Sequence, residues 1–141
     1  MNDVPQRIAQ SFDAQGLMAT LGARLEKVEA GEVQIALPFS SALSQQHGYV
    51  HAGAITSIVD TACGYAAQTR APSKQHGVVT AEFKINFMRP AIGERFLAVG
   101  TVVQAGKSLA VCAGEVRVFA DASEDYKVVA LMQATIVYIR S

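Results

Sequence analysis

Between Glu32 and Arg70 the sequence carries one formally charged side chain, Asp60, and it falls in the middle of the strongest helical pattern in the chain. In GYVHAGAITSIVDTACGYAAQ, residues 48–68, Ile55, Ile58, Val59, Ala62, Cys63 and Ala66 recur at helical spacing and make one apolar stripe. Thr56, Ser57, Thr61 and Gly64 fill the opposite side, small residues that let a neighbouring backbone or a ligand come close. A helix so poor in charge has little surface intended for water, so other elements must cover most of it. A carboxylate inside such a helix either finds hydrogen-bond donors or becomes a site of chemistry. The plain alternative is an Asp pointing at water, but a solvated face would show Lys, Glu or Gln around it.

His51, Ala52 and Gly53 stand at the helix start, where free N–H groups and the positive end of the helix dipole can hold a developing negative oxygen. Nine residues on, at ~1.5 Å per residue, Asp60 lies roughly 13 Å along the axis from His51. An anion site and a base so far apart cannot act on the same atoms within one chain. Either the helix start lies nearer Asp60 than the count implies, or a second subunit supplies part of the site.

The rest of the chain supplies the cover. Residues 3–15 read as a short amphipathic helix with Val4, Ile8 and Phe12 inward, and residues 17–29 begin apolar and become alternating, the pattern of a first strand. Ala30-Gly31 marks a turn into a second strand, where Val33, Ile35 and Leu37 alternate with polar or small residues, and the two make a hairpin. Ser40 to Val50 is a polar loop feeding the helix, which spans about 53–69 and is stopped by Ala71-Pro72. Four strands follow: one with Val79, Ala81, Phe83, Ile85 and Phe87 on a buried face, then 94–104, 109–119 and 126–140. The short turns between them predict an antiparallel meander. One long uncharged helix among six antiparallel strands is most simply buried by wrapping the sheet around it, an α+β architecture in a single domain over residues 1–141.

Half of the 141 residues are hydrophobic and 17% are charged, a surplus of apolar surface that predicts a subunit interface. Net charge is zero and no basic run appears, which argues against nucleic acid as a partner. MNDVPQRIAQSF lacks the apolar core of a signal peptide, and no window is long and apolar enough to span a membrane, so a cytoplasmic location is expected. Cys63 and Cys112 are too few and too far apart for a metal cluster and read as small buried residues.

His51-Ala52-Gly53 followed by Asp60 resembles the hotdog-fold thioesterases, in particular the branch of phenylacetate-degradation thioesterases and human acyl-CoA thioesterase 13. That family's pattern is an Asn, six residues to H-G-G, then Asp nine residues after the His; the matching positions here are Gln45, His51-Ala52-Gly53 and Asp60. VVTAEFKINFMRPAIGE and QAGKSLA resemble its strand ending in Pro and its Q-G-K turn, so the likeness runs from about Gly16 to the C-terminus. The resemblance implies hydrolysis of an aromatic or medium-chain acyl-CoA to a carboxylic acid and coenzyme A, without metal or other cofactor. It makes Asp60 the general base or the nucleophile, and Ala52 or Gly53 the N–H donor to the thioester oxygen. Gln45 would hold water or substrate, and His51 would orient the loop or move a proton. Thr80 of a partner subunit would offer a hydroxyl near the water, and Arg89, Lys107 and Ser108 would contact coenzyme A. It further implies a homodimer with shared sites and a dimer of dimers. Two departures matter: Ala52 replaces the first Gly and narrows the approach, and Gln45 is one methylene longer than Asn. The competing reading is a non-catalytic hotdog domain that binds acyl-CoA as a sensor or carrier. A hotdog hydratase fits less well, because the Asp-x-x-x-x-His pair of those enzymes is missing.

Overall fold

The computed structural model describes residues 2–140. The chain runs α1 (Val4–Asp13), α2 (Gly16–Leu21), β1 (Arg24–Glu29), β2 (Glu32–Pro38), a 3-10 turn (Ser41–Leu43), α3 (Ala52–Gln68), β3 (His76–Phe87), β4 (Arg95–Ala105), β5 (Leu109–Phe119) and β6 (Lys127–Arg140). The six strands form one antiparallel sheet in the order β1-β2-β4-β5-β6-β3. It curls around α3, which packs against β2, β3, β4, β5 and β6 and buries Ile55, Ile58, Val59, Ala62, Cys63 and Ala66 almost completely. The stripe that made this helix recognisable is therefore the inner face of the core.

Three expectations need correction. Residues 17–29 are not one strand: Gly16–Leu21 winds into α2, which buries Met18, and only Arg24–Glu29 joins the sheet. Gly22, at φ +77°, ends that helix in a left-handed conformation that costs glycine nothing. The last four strands are not a simple meander either. β4, β5 and β6 follow one another, but β3 crosses over to the far edge and pairs with β6.

The third correction concerns which side of β3 faces inward. A bulge between Thr80 and Glu82 inserts one extra residue, so the alternation changes phase. Val78, Thr80 and then Ile85 turn toward α3, instead of a continuous Val79-to-Phe87 face. Val79, Phe83 and Phe87 are each more than 40% exposed in the single chain, along a strand whose outer edge pairs with no other strand among the described residues.

The helix sits unusually close to the sheet at one point. Gly100 of β4 and Gly114 of β5 are cross-strand partners beneath Ala62 and Cys63. A Cβ on Gly100 would stand 2.5 Å from the Ala62 carbonyl, and one on Gly114 would stand 2.6 Å from the Val59 Cγ2 methyl. Two missing side chains thus form the saddle on which α3 rests.

Candidate active site

The loop before α3 and the first turn of the helix form one half of the site. Gln45 Oε1 accepts from the N–H groups of His47 (2.6 Å) and Tyr49 (3.2 Å), which folds the loop on itself and leaves the Gln45 NH2 as its outward donor. His51 is the N-cap of α3: its Nδ1 accepts from Gly53 N–H at 2.7 Å, and its carbonyl accepts from Ala54 and Ile55. Of the two N–H groups expected to grip an oxyanion, Gly53 is therefore already engaged. Ala52 N–H has no acceptor among the described residues and is exposed at the helix mouth. Further in, the hydroxyls of Thr56 and Ser57 donate back to the Ala52 and Gly53 carbonyls at 2.8 and 2.7 Å. A groove of about 330 Å³ gathers Gln45, His51, Ala52 and Arg89, together with Tyr49 and Phe87.

The other half lies two turns along the same helix. Asp60 is half-buried rather than dry, and its Oδ1 accepts from the Thr80 hydroxyl at 2.7 Å. This contact corrects the expectation that Thr80 would come from a partner: the β3 bulge aims the chain's own Thr80 at its own Asp60. With one carboxylate oxygen held by Thr80, Asp60 lines a groove of about 180 Å³ together with Gln15, Thr61, Gly64, Tyr65, Val78 and Thr80. From Ala52 to Asp60 the axis advances by about 12 Å, at ~1.5 Å per residue, so within one chain the two grooves do not merge.

The remaining positions divide between the two ends. Arg89 belongs to the groove at the helix start. Lys107 and Ser108 lie in the exposed β4–β5 turn, where the Ser108 carbonyl accepts from Tyr138 N–H, and Tyr138 in turn pairs with Val78 two residues from Thr80. They are thus on the Asp60 side, and no single chain brings all three together. Both cysteines are buried and unpaired by disulfide. Burial pushes the Cys63 thiol far above its ordinary range and that of Cys112 up to about 11, so both stay protonated near neutrality. No group of three or more metal-ligating side chains occurs among the described residues.

Comparisons with known proteins agree with this architecture. Residues 47–122, just over half of the chain, match the family model described as the thioesterase superfamily. A thioesterase family protein from Silicibacter pomeroyi, solved by crystallography, is 39% identical and superimposes with a TM-score of 0.93 over 98% of this chain and 99% of that one. The Escherichia coli PaaI protein from the phenylacetic acid degradation operon shares the fold, at 21% identity and a TM-score of 0.84 over 97% and 94% of the two chains. A Halobacterium salinarum protein whose name proposes an esterase is 29% identical over 114 residues, 78% of this chain and 75% of that protein. With a six-stranded antiparallel sheet curled around one central helix, the chain is a hotdog-fold protein and belongs to the thioesterase superfamily.

Proposed function

We propose that this protein is an acyl-CoA thioester hydrolase that works as a homodimer, with each active site shared between protomers. The observation that carries the reading is the Asp60–Thr80 hydrogen bond in its own groove, on the same helix as the open Ala52 N–H but about 12 Å from it, at ~1.5 Å per residue. Antiparallel pairing of the free β3 edges would lay two α3 helices side by side in opposite directions. The helix mouth of one protomer would then face Asp60 of the other. Such pairing also gives Val79, Phe83 and Phe87 a reason to be apolar, and a dimer of dimers is the assembly we expect from it.

In the completed site the thioester carbonyl oxygen accepts from Ala52 N–H, and the Gln45 NH2 steadies water or substrate. Thr80 holds Asp60 Oδ1 so that Oδ2 can take a proton from water. The water oxygen bonds to the carbonyl carbon, the C–S bond breaks, and the proton on Asp60 passes to the departing thiolate. Direct attack by Oδ2 on the same carbon, followed by hydrolysis of the anhydride, uses the same geometry. Arg89 of one protomer, with Lys107 and Ser108 of the other, would take the coenzyme A phosphates and pantetheine arm. Gly64, Val78 and Tyr65, on the walls of this groove, would lie against an aromatic or medium-chain acyl group.

The test is Asp60→Asn, which keeps an acceptor for Thr80 and removes the base. Thiol release from a panel of acyl-CoAs should fall by about 10² to 10⁴ with the fold intact by circular dichroism. Activity within a few-fold of the parent removes Asp60 from the mechanism. Binding by the parent protein without thiol release across the panel makes the chain a carrier instead.

A further inference from the structure

We propose that Tyr65 closes the acyl end of the site and sets the longest acyl chain that the protein accepts. This rests on the thioesterase reading for its catalytic test, though not for its binding test.

Tyr65 lies five residues beyond Asp60 on α3, with only 5% of its surface exposed. It lines the groove that holds Asp60 and also a second cavity of about 140 Å³ beneath α1, and it is the one residue common to both walls. The second cavity is walled by Val4 and Ile8 on the apolar side and by Arg7, Ser11, Gln68 and His76 on the other. None of these belongs to the catalytic arrangement described above. The phenol is the partition between two spaces that would otherwise run on from one another.

The ring is clamped. Its hydroxyl receives the Gln15 NH2 at 2.7 Å and shares a 2.8 Å hydrogen bond with the Ser11 hydroxyl, both reaching from the first helix and the residues just after it. Phe12, between them in sequence, stacks obliquely on the ring at 6.4 Å between centroids. Three contacts from one segment hold the ring in this position. A substrate chain running from the thioester past Asp60 and Gly64 therefore ends against this ring, with a cavity that Val4 and Ile8 make apolar on one side unused behind it.

The experiment measures kcat/KM for straight-chain acyl-CoAs from butyryl to palmitoyl, in the parent protein and in two variants. Tyr65→Leu removes the partition. Ser11→Ala combined with Gln15→Ala leaves the ring but releases its hydroxyl, and touches only residues at or near the surface. In each folded variant, chains longer than the parent's limit, measured relative to butyryl-CoA in the same variant, should gain up to about fourfold for each methylene that enters the second cavity. A parallel series of non-hydrolysable alkyl-CoA thioethers, read by calorimetry, should show the same extension in affinity. If the parent hydrolyses no acyl-CoA, the thioesterase reading fails and the thioether series still decides the role of Tyr65. An unchanged chain-length limit in both series, in either folded variant, overturns the proposal.

Discussion

Replacing Gly100 by Ala tests whether α3 is seated on the sheet as described. The added methyl would lie 2.5 Å from the carbonyl carbon and oxygen of Ala62 and 2.6 Å from the Cys63 nitrogen. Carbon atoms in contact prefer separations of ~3.5–4.0 Å, so helix and strand must part by about 1 Å. Overpacking of this kind costs roughly 1–3 kcal/mol, and the upper end applies because the obstacle is main chain, which cannot rotate away. Alanine gives back about 0.4–1 kcal/mol by restricting the unfolded chain. The net loss is therefore about 2 kcal/mol, or ~8 °C in Tm at ~4 °C per kcal/mol for a chain of this size. Because Ala62 is two residues from Asp60, the same displacement strains the 2.7 Å Thr80 contact, and turnover should fall by ~10²-fold in the variant that remains folded. Gly114→Ala is the internal comparison: it meets the ends of side chains, Val59 Cγ2 at 2.6 Å and Cys63 Sγ at 3.0 Å, which can shift. It should cost about half as much as Gly100→Ala, roughly 1 kcal/mol. Thermal melts of the three proteins read the difference. A Gly100→Ala melt within ~2 °C of the parent, or a larger loss at Gly114, would refute the saddle.

Two further outcomes follow from the site. Thr80→Val keeps the shape of the side chain but frees Asp60 Oδ1, so kcat should fall by about tenfold, the loss of roughly 1.4 kcal/mol of positioning, with KM little changed; an unaltered kcat would make Thr80 a strand residue only. Ala52→Pro removes the open N–H at a helix position that tolerates proline, after a His51 already at φ −60°, ψ 138°. Alone it should be as inactive as Asp60→Asn, but refolding the two variants together should restore about a quarter of parental activity if sites are shared between paired subunits, and none if each chain works by itself.

Much of this could be read from the residues. The α3 stripe, the isolated Asp60, the β1–β2 hairpin and the strand boundaries from Arg95 onward all come from hydrophobic period and turn chemistry, which are local signals. What could not be read depends on contacts between distant segments. The single residue inserted at Ala81 changes the phase of β3, and a pattern count over 79–88 has no means of seeing it, since Val79 and Phe83 are apolar although both are exposed. The crossing of β3 to the far edge is likewise invisible to turn lengths. Gly16–Leu21 is too short for a helical period to stand out from an apolar run. Gly100 and Gly114 look like ordinary weak points in strands until the register sets them opposite each other beneath α3. An isolated Gly in a strand pattern does hint at close backbone approach, and that hint was the available signal. The commitment of Gly53 N–H to His51 needs coordinates, because the residue types alone do not show which way the imidazole turns.

The cap at His51 and the seat at Ala62 pin α3 at both ends of the interval that separates the open amide from the carboxylate. The helix therefore serves as a ruler. Substitutions along it change what the ruler is made of, but one inserted or deleted residue between 52 and 60 would turn Asp60 by about 100° and slide it by ~1.5 Å, carrying it off the Thr80 hydroxyl altogether. Between those two residues a change of type leaves the spacing intact, and a change of length does not.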